Sequence, residues 1–192
     1  MTKKNLRQLD YAKVAQLDSG MWREYYDHRF FRMFILLLKL MRTQFQFGWL
    51  LALRSAYRAG AAATNYRVRK GRENYAGVEK NLVKFYKLIS DNSMESFDYR
   101  KAAEIELEWW NIHRYPERYE RTLGASLAEG MAIIYDGEPK DFSEYGRLRA
   151  EAMLLRDEMG DVKQVEPDWV KITSLLSESW KSMYKAAQRK SA

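Results

Sequence analysis

The sequence predicts an all-α, single-domain bundle of seven to eight helices, built around a long or broken central helix pair within residues 21–69. Two observations carry this. Apolar residues recur at helical spacing along the whole chain, with no stretch alternating apolar and polar residues between turn signals. Only 3 prolines and 10 glycines are spread over 192 residues, too few for a turn-rich β fold or a flexible linker. A composition of 46% hydrophobic and 31% charged residues is that of a folded chain.

The elements follow in order. Residues 1–5 are expected to fray, as are 189–192. A short helix is predicted over Leu6–Gln16, with "LDSG" (17–20) as a turn whose Asp18 or Ser19 caps the next helix. From Met21 to about Arg69 no residue forbids helix. A straight rod of that length would rise about 75 Å, against a radius of gyration of roughly 16 Å for a compact chain of this size. The expected break is at Phe45–Gly48. Before it, Lys39, Arg42, Thr43 and Gln46 leave only a narrow polar stripe, so this segment is read as a core helix enclosed by its neighbours. After it, "ALRSAYRAGAAATNYR" offers small residues for close helix contact.

"RKGREN" (69–74) reads as a loop. A helix from Asn74 or Tyr75 to Ser90 carries Val78, Leu82, Phe85 and Ile89 on one stripe. Asp98 is placed to cap a helix from Tyr99 to about Arg114, ended by Pro116. Another spans Glu117–Tyr135. "DFSE" (141–144) reads as a capping box for a helix reaching Met159, closed by Gly160. "EPDW" (166–169) sets Pro167 in the first turn of a last helix reaching about Gln188.

Several chemistries are excluded. With no cysteine there is no disulfide, thiolate metal site or cysteine nucleophile. No phosphate-binding glycine loop, dinucleotide fingerprint or serine elbow occurs, and no cofactor is predicted. The most apolar stretch, residues 33–53, is interrupted by Lys39 and Arg42, and its longest uncharged run is 11 residues, short of the roughly 20 a spanning helix needs. The start is polar and lacks an export signal. A soluble, cytoplasmic protein is expected.

The most conspicuous motif is "EIELEWWNIHRYP" (104–116). On a helix, Ala102, Ile105, Trp109 and Ile112 form the core stripe. Glu104, Glu108 and Asn111 share a second stripe, and Glu106, Trp110 and His113 a third. The three glutamates therefore do not converge. A pocket lined by Trp110, with Glu106, Glu108 or His113 as acid or base, is the enzymatic or ligand-binding alternative. Near the N-terminus, Glu24 and His28 sit four residues apart, a spacing that suits two ligands of one metal, with His113 as a third from another helix. The Glu-x-x-His pattern of di-iron bundles is missing at both histidines, so no metal is favoured.

The strongest binding signal is basic. Residues 1–75 carry a net +10 within a total of +7. "NYRVRKGREN" (65–74) packs Arg67, Arg69, Lys70 and Arg72 beside Tyr66, with Arg54 and Arg58 upstream. The sequence thus favours a non-enzymatic interaction module whose basic surface, residues 54–72, meets an acidic protein. Nucleic acid is another partner this basic-aromatic region suits; a membrane surface is a further one, through the wide apolar face, Trp49 and flanking Lys and Arg of residues 29–58, and homo-oligomerisation is open.

Overall fold

The computed structural model describes residues 3–161 and 168–189. Eight α-helices are present among them: α1 (Tyr11–Tyr26), α2 (Phe30–Gln44), α3 (Trp49–Tyr66), α4 (Tyr75–Asn92), α5 (Tyr99–Arg114), α6 (Leu123–Ile134), α7 (Ser143–Asp161) and α8 (Trp169–Gln188). Short 3-10 turns at Pro116–Arg118 and Pro139–Phe142 complete them, and no strand occurs among the described residues. Each helix packs against the one before and the one after it, and α8 packs on α1. The bundle is therefore a closed ring of consecutive antiparallel helices.

Local chemistry sets the element ends. Asp10, Asn74, Asp98, Thr122 and Asp168 each accept a backbone N–H of the first turn they precede, which satisfies donors that a helix start leaves open. The first helix does not stop at "LDSG" as expected. It starts at Tyr11 and runs through those residues to Tyr26. Asp18 and Ser19 are buried inside it rather than capping α2, because Asp18 has a partner on α7. The unforeseen break comes at residues 27–29, where His28 takes φ 58° and ends α1 without a glycine.

The break between α2 and α3 falls where the sequence puts it. Phe45 and Phe47 bury their rings 5.4 Å apart, and Gln46, at φ 54°, donates from Nε2 to the carbonyls of Asn5 (2.8 Å) and Gln8 (2.7 Å). The expected helix 117–135 is shorter, since Pro116 opens a 3-10 turn and Thr122 caps α6. The capping box forms one turn earlier than expected, between Glu138 and Asp141, and α7 continues past Gly160. Pro167 lies outside the described residues.

The N-terminal segment plugs one end of the ring. The Lys4 N–H donates to Asn92 O at 2.9 Å and its carbonyl accepts from Met94 N–H at 2.7 Å, although residues 1–5 were expected to fray. Leu6 is fully buried. Arg7 donates to the carbonyls of Tyr135 (2.6 Å) and Ala187, and Gln188 Nε2 returns a bond to Arg7 O (2.6 Å). The other end gathers the C-termini of α1, α3, α5 and α7.

One expectation about the core is overturned. The α2–α3 pair is not a central element walled in by other helices; it is one segment of the ring, with a face turned to solvent. Leu37, Leu40 and Met41 of α2 and Ala52, Ala56 and Ala62 of α3 are buried. Phe31 (80% exposed), Leu50 (64%), Trp49 (60%), Tyr57 (59%), Leu53 and Ile35 are not. A ring leaves every helix one outward stripe, and here that stripe carries large apolar side chains alongside Lys39, Arg42 and Arg54.

Candidate functional site

The ring interior holds a polar network under aromatic side chains. Glu106, at mid-height of α5, is half-buried. Its Oε2 accepts from Tyr86 Oη (2.9 Å) and Trp109 Nε1 (2.8 Å), and its Oε1 accepts from Trp110 Nε1 (3.0 Å). Two of these donors come from its own helix at i+3 and i+4, so the paired tryptophans exist in part to hold this carboxylate. Deeper towards α1 and α8, Arg149 bonds Asp18 through both terminal nitrogens (2.6 and 3.4 Å), and Trp180 Nε1 donates to the same carboxylate at 2.8 Å.

Burial raises the pKa of Glu106 above its ordinary 4.5, and the three donors offset only part of that. The sign of the linkage follows. A carboxyl whose folded pKa is raised loses a proton first in the unfolded chain, so its contribution to stability falls as pH climbs from about 4.5 through the folded value. Glu106→Gln, which keeps the shape and an acceptor, should therefore melt higher than the parent chain at about pH 8 and show little advantage at about pH 4. Thermal melts at the two pH values check this; a parallel offset at both would contradict it.

The candidate catalytic and metal residues do not come together. Glu108, half-buried, is held by Arg121 (3.0 Å) and by the buried Ser126 (3.2 Å) between α5 and α6. Glu104 is exposed and paired with Lys101. Glu24 is bound by Arg29 at 2.6 Å, which pulls its pKa below the ordinary value. His28 Nδ1 lies 3.3 Å from Arg67. His113 Nε2 faces Asp157 Oδ2 at 2.7 Å. Burial works to raise the Asp157 pKa, but His113 and Arg156 outweigh it and leave it lowered. No group of three or more possible metal-binding side chains occurs among the described residues. A groove of about 820 Å³ lies between α6 and α7, and one of about 460 Å³ between α1 and α8. Neither is lined by Glu106, Trp110 or His113.

The basic residues singled out by sequence fall into two groups. Arg54 and Arg67 are thirteen residues apart on and just beyond α3, about 20 Å along its axis. Several members of the set serve the fold. Tyr66 Oη donates to Trp110 O (2.8 Å). Arg58 donates to Asn81 Oδ1 (3.2 Å). Arg67 lies over the rings of Phe30 (4.5 Å) and Tyr25 (5.4 Å). Arg114, absent from the candidate set, donates to the Val68 carbonyl at 2.6 Å and to that of Tyr66 at the C-terminal end of α3, where a helix presents unsatisfied oxygens and partial negative charge. Gly71, at φ 81°, turns the loop, and its N–H donates to Tyr115 Oη (2.9 Å). The side chains of Arg54, Arg69, Lys70 and Arg72 stay exposed, Lys70 with its ammonium 5.4 Å from the Tyr115 ring centre.

The surface joining the two groups lies within residues 29–58, a segment that the sequence allows to face a membrane but favours as a core helix. On α2, Phe31, Ile35, Lys39 and Arg42 stand at spacings of 4, 4 and 3 and are all exposed. On α3, Trp49, Leu50, Leu53, Arg54 and Tyr57 form the adjoining exposed stripe. Arg42 bridges them, its guanidinium 3.7 Å from the Trp49 ring centre. Residues 28–72 contain ten Lys and Arg and no Asp or Glu, so the rest of the chain carries a net −3. Those counts are readable in the sequence; that the apolar stripe faces outward is not. Neither a protein-family model, nor a curated protein, nor a solved structure matches the chain.

Proposed function

We propose that this protein is a non-enzymatic binding module that engages a negatively charged partner through the outward face of α2 and α3. The observation behind this reading is the exposed ridge of Phe31, Ile35, Trp49, Leu50, Leu53 and Tyr57, flanked by Lys39, Arg42 and Arg54 in a segment without a single acid. Exposed apolar area of this kind marks an interaction surface, and its charge selects the sign of the partner. Arg69, Lys70 and Arg72 extend the cationic field at the far end of α3. Catalysis is the weaker reading, because Glu106, Glu108 and His113 are each engaged by separate neighbours and share no cavity. Pairing of two copies through this same face is also disfavoured, since an isologous contact would set cations against cations.

The test is retention on an immobilised polyanion. The wild-type chain should bind polyglutamate or heparin in a salt-sensitive way. Joint replacement Lys39→Gln, Arg42→Gln and Arg54→Gln should weaken binding by about tenfold or more. Removal of the same charge at Lys13, Lys171 and Lys185, exposed on α1 and α8, serves as the control and should matter much less. Equal losses from the two triple variants would refute a localised surface.

A further inference from the structure

We infer that the anionic partner is a lipid bilayer surface, on which α2 and α3 lie side by side with their exposed stripes in the headgroup region; this rests on the reading of that face given above. The side chains on offer discriminate among anionic partners. Nucleic acid presents phosphates and base faces, and has no use for a ridge of Ile35, Leu50 and Leu53. An acidic protein would have to supply a pocket for each protruding anchor. A bilayer takes up all of them without shape complementarity.

The order along the ridge also fits an interface. Phe31 and Ile35 stand in the first half of α2, Trp49, Leu50 and Leu53 in the first turns of α3, and Tyr57 at its middle. Lys39, Arg42 and Arg54 cluster towards the α2–α3 turn, and Arg32, Arg69 and Arg72 lie towards the opposite end. Long basic side chains there can keep their charge at phosphate depth while their stems rest on apolar surface. The stacked Arg42–Trp49 pair joins an aromatic ring of the type enriched at membrane interfaces to a phosphate-binding guanidinium. At about 22 and 27 Å, the two helices are long enough to lie flat as one amphipathic unit. No helix among the described residues is long and apolar enough to cross a membrane. The net −3 of the remaining chain, repelled by an anionic surface, orients this face towards it.

The experiment is flotation of the full chain with vesicles of phosphatidylcholine alone and with added phosphatidylglycerol, run beside the polyglutamate retention described above. The expected result is binding to the anionic vesicles, lost at high salt and weak on the neutral ones. The variant Phe31→Ser, Leu50→Ser, Leu53→Ser should lose at least about tenfold in vesicle binding while keeping polyglutamate retention and its helical circular dichroism. The Lys39, Arg42 and Arg54 variant should lose both. Retention on polyglutamate without vesicle binding would overturn the lipid assignment and leave the anionic surface standing; absence of both would sink the two together. Vesicle binding that survives the serine substitutions would also overturn the assignment, since charge alone would then explain it.

Discussion

Replacing Arg149 with methionine should destabilise the protein by about 3–5 kcal/mol, because it strands the Asp18 carboxylate inside the bundle. Asp18 is 1% exposed, and the Arg149 side chain is 13% exposed. Nothing else in the described structure supplies Asp18 with an opposite charge at hydrogen-bond distance; Trp180 Nε1 gives it one neutral donor. Arg149 is itself enclosed by the rings of Trp22, Trp180 and Tyr145, with centres 5.2, 5.7 and 6.0 Å away. Burial works against its charge, yet Asp18, Tyr145 and Glu106 together keep its pKa above the ordinary value. For a chain of this length the loss corresponds to a fall in Tm of roughly 6–20 °C.

The position of the pair makes the loss a test of the architecture. Asp18 is on α1, Arg149 on α7 and Trp180 on α8, so the cluster spans the seam where the ring closes. The double replacement Asp18→Leu with Arg149→Met removes both charges and leaves only the Trp180 N–H unpaired. It should recover much of what either single change loses, as removal of a whole buried pair generally costs far less than removal of one partner. Chemical denaturation of the three variants checks this. A single change costing under about 1 kcal/mol would show that water reaches the carboxylate.

How much of this was legible in the sequence depends on the range over which each signal acts. The bounds of α4 and α5 were, because Asn74 and Asp98 cap locally and the apolar stripes that follow leave no other register. The fracture at Phe45–Gly48 was too. The passage of α1 through "LDSG" was not, because turn-forming residues are judged against local alternatives, whereas Asp18 is fixed by an arginine 131 residues away. Nor was the break at His28, since a left-handed histidine carries no marker comparable to glycine.

The outward face of α2 and α3 shows a different limit. Periodicity measures how much of a helix is apolar, and here the answer was nearly all of it. It does not say how many neighbours the topology will provide. A centre-packed helix and a ring member with an apolar outer stripe are spelled alike. Within the basic run at 65–74, Arg67 lies over the Phe30 and Tyr25 rings while Arg69, Lys70 and Arg72 stay exposed, and the two kinds are spelled alike in sequence. Glu106 was correctly placed on a stripe with Trp110, and its spacing to Trp109 and Trp110 also allowed the two indole bonds. What the spacing lacked was Tyr86, which only the α4–α5 packing supplies.

The same substitution should act with opposite sign at two helical glycines, and the contrast isolates what holds α6 against α7. Gly124 and Gly146 face each other where these helices cross. A Cβ added to Gly146 would overlap the Gly124 carbonyl oxygen and stand 3.1 Å from the Ala128 nitrogen. These are backbone atoms on a neighbouring helix, which no rotamer change can move aside. Gly146→Ala must therefore push the helices apart and loosen the packing of Leu127 and Ala128, at a cost of about 1–3 kcal/mol or somewhat more. In α3, a Cβ at Gly60 meets nothing within 4 Å. There Gly60→Ala should stabilise by about 0.5–1 kcal/mol through the smaller backbone entropy of the unfolded chain. Urea midpoints with unchanged m-values would measure both. If Gly146→Ala were neutral or stabilising, the close approach would not be a determinant of the fold, and the α6–α7 contact would have to rest on its larger side chains alone.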